Sequence, residues 1–292
     1  MASNSPLVLG FLSSSALLSL GYSASKADSS MYMFWSSNCV IIIQIYVDDI
    51  LMTRNKSLYL QRLLVQLQSQ FSIKDLGDLH YFLGLEVTRS STGLHLCQTK
   101  YISDPLHHTS LLDSKPVATP MAIGSVLSIH DGAPLVNGSE YRSVVGALQY
   151  CTLTRPDISF SVNKLCQFML QPTDLHWLAV KRLLRYLKGT PYFGLHFLCS
   201  VDYSLHCYTD ANWASCPDNH RSTSDYCIFL GGNLFSWSSS KQKVVSRSTT
   251  EVEYKSIAHG TTELGWNQFL LIWAFLPLFH LLFCVIISLP LT

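Results

Sequence analysis

The chain has 292 residues, of which 48% are hydrophobic and 13% charged, and its formal net charge is +1. This length supplies material for one large or two ordinary domains, and the apolar composition excludes a generally disordered chain. The small net charge excludes a global basic field, so nucleic-acid binding would have to come from local patches. Nine widely spaced cysteines without a Cys-x-x-Cys pair predict reduced thiols in an intracellular protein of the cytoplasm or nucleus.

Two strongly apolar stretches, residues 40–47 and 50–53, flank the adjacent acids Asp48 and Asp49. Val, Ile and Tyr dominate both stretches, which predicts two buried strands joined as a hairpin. Two carboxylates about 4 Å apart repel by roughly 4 kcal/mol at an effective dielectric near 20. A bound Mg²⁺ would remove most of this repulsion, so the pair indicates a metal site for phosphoryl chemistry. The alternative is an ordinary polar turn without a ligand.

The stretch that follows predicts short elements leading to a linker. The expected elements are a helix at 60–71, a loop at 75–78, strands at 81–87 and 94–98, and a helix at 100–112. Residues 113–139 are rich in Pro and Gly, and they form the expected linker.

A second set of elements follows the linker. The expected helices cover 141–153, 158–170 and 176–187, and the expected strands cover 195–198, 205–208, 224–230 and 234–237. Asp174 is the expected N-cap of the third helix. Lys181, Arg185 and Lys188 share one face of that helix. This face is either an ordinary solvated surface or a phosphate-contacting stripe for nucleic acid.

The pattern after residue 205 combines a strand that ends in an acid with a helix that carries acids. Thr209-Asp210 ends a predicted strand, and Ser248-x-x-Glu251 is a capping box that opens a helix. Glu253 lies in the first turns of the same predicted helix, two residues after Glu251. Such an α/β arrangement could bring Asp210 and Glu253 together around a metal ion.

The C-terminal stretch 269–289 has no charged side chain and is long enough to cross a bilayer. Pro277 and His280 lie within it, and no Lys or Arg flanks it. Membrane association through this tail is therefore one expectation. The other is an apolar segment unrelated to the sequence before it.

A collinear series of motifs runs from about residue 14 to about residue 266. Its members include Ser25-Lys26-Ala27-Asp28, Tyr46-Val47-Asp48-Asp49, Lys74-Asp75-Leu76-Gly77, Tyr81-Phe82-Leu83-Gly84-Leu85-Glu86, Gly146-Ala147-Leu148-Gln149-Tyr150, Thr154-Arg155-Pro156-Asp157, Tyr186-Leu187-Lys188-Gly189-Thr190 and Ser246-Arg247-Ser248. Together they resemble the Pol polyprotein of copia-type LTR retrotransposons, in which a reverse transcriptase is followed by ribonuclease H.

The resemblance implies an α+β fold, with a partial reverse-transcriptase palm and thumb followed by an incomplete RNase H-like α/β domain. The implied segments are palm and thumb at 1–112, a linker at 113–139, a helical connection at 140–190, an RNase H-like part at 191–265 and an apolar tail unrelated to the family at 266–292.

The resemblance also assigns roles to individual residues. It implies that Asp48 and Asp49 hold two Mg²⁺ ions for polymerisation on an RNA/DNA primer–template, with Asp48 as the direct ligand. Gly84 lies in the stretch that is similar to the primer-gripping strand. Asp210 and Glu253 match the catalytic, metal-binding acids of RNase H.

Both implied sites lack acids that the family requires. Upstream of Asp48 the only acid is Asp28, and no Asp or Glu follows Glu263. The resemblance therefore implies a fragment truncated at both ends that is inactive on its own. A non-catalytic nucleic-acid-binding remnant and a tail-anchored membrane protein are the alternatives. The sequence leaves the oligomeric state open.

Overall fold

The computed structural model describes residues 15–26, 28–36, 39–46, 49–54, 57–70, 74–124, 126–199, 202, 204–281 and 285–288. Helices and antiparallel sheets are combined along these residues, which confirms the mixed helix-and-strand class predicted from the sequence. The chain forms two compact units. Unit 1 comprises Met1–His80 with Phe269–Thr292, and unit 2 comprises Tyr81–Gln268.

Unit 1 is built on one antiparallel sheet with the strand order β1-β2-β3-β4-β13-β5. Its strands are β1 (Ser23–Ala24), β2 (Met31–Ser36), β3 (Cys39–Tyr46), β4 (Asp49–Arg54), β5 (Lys74–Asp78) and β13 (Val285–Ser288). Helix α1 (Ser57–Gln70) follows β4, and residues 15–19 are also helical.

The core of unit 1 lies between β3, β4 and α1. Ile43 and Met52 face each other across the β3–β4 pair, and both are fully buried. Leu63 and Leu67, one turn apart on α1, belong to the same apolar cluster. Burial of such side chains contributes about 1.5–3 kcal/mol each, which explains why the β-branched run forms strands and the Leu-rich stretch forms a helix on top of them.

The predicted membrane association through residues 269–289 is wrong. Helix α6 (Thr249–Leu281) ends within this stretch, and Val285–Ser288 forms strand β13 between β4 and β5. Among the described residues, none of the helices combines the length and the apolar character that a bilayer crossing requires.

The stretch 75–78 was predicted to be a loop, but it lies in strand β5. Its partner is β13, with Gly77 opposite Ile286 and Lys74 opposite Ser288. The charged residues and the glycine of this stretch indicate a turn. The segment that pairs with it, β13, lies some 200 residues further along the chain. The loop prediction failed because the strand depends on that distant partner.

Unit 2 contains two antiparallel sheets and a block of helices. The first sheet has the order β6-β7-β8-β9, and its strands are Tyr81–Phe82, Leu85–Arg89, Gly93–Cys97 and Leu195–Leu198. The second has the order β10-β11-β12, with Leu205–Asn212, Thr223–Leu230 and Asn233–Lys241. The helices before α6 are α2 (Thr99–His108), α3 (Ser139–Cys151), α4 (Ser159–Cys166) and α5 (Asp174–Gly189), and a 3₁₀ turn covers Pro156–Ile158.

The core of unit 2 lies among helices α2 to α5. Tyr141, Leu148, Leu165 and Leu183 are all fully buried in one cluster. Their spacing on each helix places one apolar stripe toward the others. The hydroxyl of Tyr141 donates to the carbonyl oxygen of Leu165 at 2.8 Å, so this buried polar atom is paired.

The N-cap of helix α5 is Thr173 and not the predicted Asp174, which is the first residue of the helix. The Thr173 hydroxyl accepts from the backbone N–H of His176, and the ring Nδ1 of His176 accepts from the N–H of Thr173 at 3.1 Å. Nε2 of the same ring lies 3.0 Å from the carbonyl oxygen of Ser128. These contacts require a neutral imidazole, in agreement with a pKa of His176 that burial lowers.

A buried arginine connects the end of α3 with the end of α5. The Arg155 side chain is 1% exposed, and its guanidinium donates to both carboxylate oxygens of Asp157, at 2.9 and 2.7 Å. It also donates to the carbonyl and hydroxyl oxygens of Thr190, each at 2.8 Å. Burial tends to raise the pKa of Asp157, but the hydrogen bonds from Arg155 and Tyr186 outweigh it and lower that pKa.

We expect Asp157→Asn to destabilise unit 2 by about 3 kcal/mol, because it leaves the buried Arg155 without its counter-charge. Urea unfolding of the full chain, followed by tryptophan fluorescence, measures the effect. The same substitution at the exposed Asp113 is the control, and it should change stability by less than about 0.5 kcal/mol. Equal stabilities of the two variants would contradict the proposed importance of the ion pair.

Candidate functional site

The predicted Asp48–Asp49 hairpin is only partly described. Strand β3 ends at Tyr46, β4 begins at Asp49, and these two residues pair with each other in the antiparallel register. Asp48 lies outside the described residues, so its assignment as the direct metal ligand stays a prediction. Asp49 is partly exposed and is paired on its other side with Ser288 of β13.

Asp210 lies in strand β10, directly opposite Asp225 of β11. Side chains directly opposite each other share one face of a sheet, so the two carboxylates are cross-strand neighbours. The Asp210 side chain is exposed, and no hydrogen bond or ion pair to its carboxylate is found among the described residues. This acid is therefore available to a ligand or partner.

Asp225 is an acid whose pairing with Asp210 the sequence did not reveal. Its Oδ1 is buried without a hydrogen-bond partner among the described residues. Burial raises the pKa of Asp225, and the negative charge of Asp210 acts in the same direction, against the opposing effect of the nearby Ser239 hydroxyl. The two residues are separated by a connection too long for a tight turn, so no turn rule specified their register. The informative signal was a single acid within the otherwise uncharged strand 223–230.

Helix α6 covers the other face of this sheet. A Cβ added at Gly260 would lie 2.7 Å from Cγ2 of Thr209 and 2.9 Å from Sγ of Cys207, so only glycine allows this close approach. The hydroxyl of Ser256 donates to the carbonyl oxygen of Asp210 at 2.8 Å. Because side chains alternate along a strand, the carboxylate of Asp210 points to the face opposite α6.

Glu253 is exposed on α6, three residues before Ser256. The helix that carries Glu253 therefore contacts the backbone of Asp210. The carboxylate of Asp210 points away from that helix, because side chains alternate along the strand. The capping box predicted at Ser248 is formed in part: the Ser248 hydroxyl accepts from the N–H of Glu251 at 3.1 Å, but the Glu251 carboxylate accepts from the N–H of Arg247 at 2.8 Å instead of that of Ser248.

The described carboxylates do not form a complete Mg²⁺ centre. Across the described ranges, no group of three His, Cys, Asp or Glu side chains comes close enough to hold a metal ion. The pair Asp210 and Asp225 supplies two carboxylates, one of which has a pKa raised by burial. Mg²⁺ prefers several ionised oxygen ligands in octahedral geometry, which this pair alone does not provide.

The cations predicted to bind nucleic acid lie beside the segment between α2 and α3. Nε of Arg185 donates to the carbonyl oxygen of Lys115 at 2.6 Å, and Nζ of Lys188 donates to that of Ser114 at 2.5 Å. Lys181 lies over the ring of Trp177, 5.6 Å from its centroid. Two of the three cations thus hold the chain segment against α5, and their neutral partners leave the positive charge in place.

Gly84 occupies a turn that splits the predicted strand 81–87 into β6 and β7. Leu83 and Gly84 both have positive φ, at 48° and 77°, a combination typical of a tight hairpin turn. A Cβ at Gly84 would lie 3.4 Å from the ring of Tyr150, whose hydroxyl donates to the carbonyl of Leu83. The turn and this packing explain the glycine, and its contact with a primer stays a prediction.

Comparison with known proteins shows what the chain is similar to. Residues 7–123 match the family described as reverse transcriptase (RNA-dependent DNA polymerase). The chain is 48% identical to the Retrovirus-related Pol polyprotein from transposon RE2 of Arabidopsis thaliana, over 86% of this chain and 17% of that protein. It is 37% identical to the corresponding polyprotein from transposon TNT 1-94 of Nicotiana tabacum, over 80% of this chain and 18% of that protein.

A shorter relative matches over most of its length. An uncharacterized mitochondrial protein of Arabidopsis thaliana is 45% identical over 77% of this chain and 93% of its own length. The chain therefore spans less than a fifth of the two Pol polyproteins but nearly all of this relative. No solved structure matches the chain.

We expect Asp225→Asn to stabilise unit 2 relative to the native chain, increasingly so as the pH rises. The pKa of Asp225 is raised from 3.8 in the folded state, so the folded chain holds this proton more tightly than the unfolded chain. Its contribution favours folding at low pH and is lost as the pH rises through the folded-state pKa. Urea unfolding at several pH values between about 4 and 7 measures the difference.

The exposed Asp113 provides the control, since Asp113→Asn makes the same change of charge away from the sheet. If both variants differ from the native chain by the same amount at every pH, the surroundings of Asp225 do not cause the effect and the prediction is wrong.

Proposed function

Because the chain belongs to the Pol protein family of copia-type retrotransposons, we propose that it is a reverse-transcriptase segment joined to RNase H elements and that it does not catalyse either reaction by itself. The match to the reverse transcriptase family covers residues 7–123. In this proposal unit 1 contributes part of the palm, β6 to α2 contribute part of the thumb, and β10 to α6 contribute the RNase H elements.

The RNase H assignment is supported by the order of elements after residue 205. Strand β10 carries Asp210, an antiparallel pair β11–β12 follows, and helix α6 carries Glu253. The buried hydroxyl of Ser256 connects this helix to the backbone of both acidic strands, at 2.8 Å to Asp210 and 3.4 Å to Asp225. We assign Asp210 and Glu253 as the remaining acids of this site, and Asp48 and Asp49 as those of the polymerase site.

The proposed inactivity rests on one observation: the described acids do not come together in a group that could hold a metal ion. Phosphoryl transfer with two Mg²⁺ ions uses the metals to activate the attacking oxygen and to stabilise the leaving oxygen. Such a pair of ions needs several carboxylates around it, and the described part of the chain assembles no group of three. Further ligands from outside the described residues would be needed for the chemistry.

We expect the purified chain to show neither primer extension nor cleavage of an RNA–DNA hybrid in the presence of Mg²⁺ or Mn²⁺. Incorporation of labelled deoxynucleotide and release of labelled RNA fragments measure the two activities. Primer extension that Asp48→Asn abolishes, or hybrid cleavage that Asp210→Asn abolishes, would overturn the proposed inactivity, provided that Asp113→Asn leaves the activity unchanged.

The nucleic-acid partner of this proposal is an RNA/DNA primer–template, bound in part through α5. Lys181, Arg185 and Lys188 lie on one face of that helix, and their positive charge is not neutralised by a described salt bridge. The neutral carbonyl partners of Arg185 and Lys188 leave each charge able to attract phosphate. The ammonium of Lys181 lies over the Trp177 ring and forms no hydrogen bond to the described part of the segment at 114–119, so Lys181 can be changed without releasing that segment.

We expect Lys181→Ala to weaken binding of an RNA–DNA duplex and to reduce the slope of log K against log salt by about one. Filter-binding titrations of the full chain over roughly 50–200 mM salt measure the slope. Lys243→Ala, at an exposed lysine before α6, is the matched control and should leave the slope unchanged. An absence of binding at low salt, or equal losses in both variants, would contradict an interface on α5.

A further inference from the structure

Among the described strands of the sheet, β10 has one edge without a partner. It lies at the end of the sheet order β10-β11-β12 and pairs only with β11. Within the described ranges, none of its residues forms a backbone–backbone hydrogen bond outside that pairing. An open edge presents a row of free N–H and C=O groups, and soluble proteins usually protect it with Lys, Pro, a bulge or a covering segment. Strand β10 contains neither Lys nor Pro, and its register with β11 is regular.

The face of β10 away from α6 carries four exposed side chains in alternation, the last of which is Asn212. His206, Tyr208 and Asp210 are all exposed, and the Tyr208 side chain is 63% exposed. The Tyr208 ring lies edge-on to Phe229 of β11, 5.8 Å between centroids, which places it on the face away from α6. A hydrogen-bond donor, an aromatic ring and an acceptor thus follow one another at equal spacing along an unpaired strand.

We propose that two copies of this chain pair through β10, edge to edge and antiparallel, with the two-fold axis at Tyr208. Antiparallel strands related by a two-fold axis place residue i opposite residue j and residue j opposite residue i. With the axis at Tyr208, His206 lies opposite Asp210 of the second copy, and this contact occurs twice. The two Tyr208 rings face each other between these contacts.

The occupant of the edge is a second copy because β10 is complementary to itself in this register. A ring N–H of His206 can donate to the Asp210 carboxylate of the second copy, an acid that lacks a hydrogen-bond partner among the described residues. A strand shifted by two residues would place His206 or Asp210 opposite Tyr208, and both contacts between His206 and Asp210 would be lost. On the α6 face, the proposed register places Cys207 opposite Thr209, which are small enough to be adjacent.

The pairing also supplies a donor to the two acids that oppose each other within one copy. Asp225 lies behind Asp210 on the same face, and burial together with the charge of Asp210 raises its pKa. An imidazole from the second copy beside Asp210 would reduce the repulsion between the two carboxylates. Dimerisation through this edge requires neither catalysis nor nucleic acid.

Sedimentation equilibrium of the full chain over a range of concentrations tests the proposal. We expect a monomer–dimer equilibrium whose dissociation constant rises at least tenfold in His206→Asp, which places carboxylates opposite each other. Asp210→His should weaken the dimer similarly, because it places imidazoles opposite each other. The double variant His206→Asp with Asp210→His exchanges the partners, and we expect it to restore the native dissociation constant.

His220→Asp, at an exposed histidine outside the sheet, is the control and should dimerise as the native chain does. Circular dichroism of each variant separates loss of the dimer from loss of the fold. A chain that stays monomeric at all concentrations would overturn the proposal. A dimer that both single variants leave unchanged, or that the double variant fails to restore, would overturn it as well.

Discussion

The buried guanidinium of Arg155 connects two parts of unit 2 that are distant in the sequence, the turn after α3 and the end of α5. It pairs with Asp157 just beyond α3, donates twice to Thr190 at the end of α5, and lies over the rings of Tyr186 and Phe193 at 5.5 and 5.4 Å. A charge with 1% exposure is costly unless each donor is satisfied. The ends of α3 and α5 are therefore held at one relative position, because any other would leave the arginine unpaired.

The neighbouring residues extend this arrangement to both sheets of unit 2. Thr154, next to Arg155, donates to the side chain of the fully buried Gln98 at 2.7 Å, directly after strand β8. Thr99 donates to the carbonyl of Pro191 at 3.2 Å, close to the start of β9. On the other side, the indole N–H of Trp237 in β12 donates to the carbonyl of Thr152 at 3.2 Å. The helices thus position the strands that carry the candidate acids.

The alternation of side chains in strand β10 determines the direction in which its candidate acid points. Cys207 and Thr209 face Gly260 of α6, so Asp210 faces away from the helix that carries Glu253. Its neighbour on that face is Asp225, and two carboxylates in register disfavour full ionisation unless a cation or a donor joins them. The same face of the same strand is exposed beside an open edge. One geometric feature therefore directs the Asp210 carboxylate away from α6 and leaves this acid available to a partner molecule.

Local patterns in the sequence determined the type of most elements, the apolar stripe of α1, the Ser248 cap of α6 and the family to which the chain belongs. Each of these depends on residues within a few turns of one another, or on motifs in linear order. The tertiary structure decided that 75–78 is a strand, that Val285–Ser288 joins a sheet, and that Asp225 opposes Asp210. These facts depend on pairing between distant segments, whose register no periodicity in the sequence specifies. The sequence therefore identified the acids, and the register of the sheet decided which of them meet.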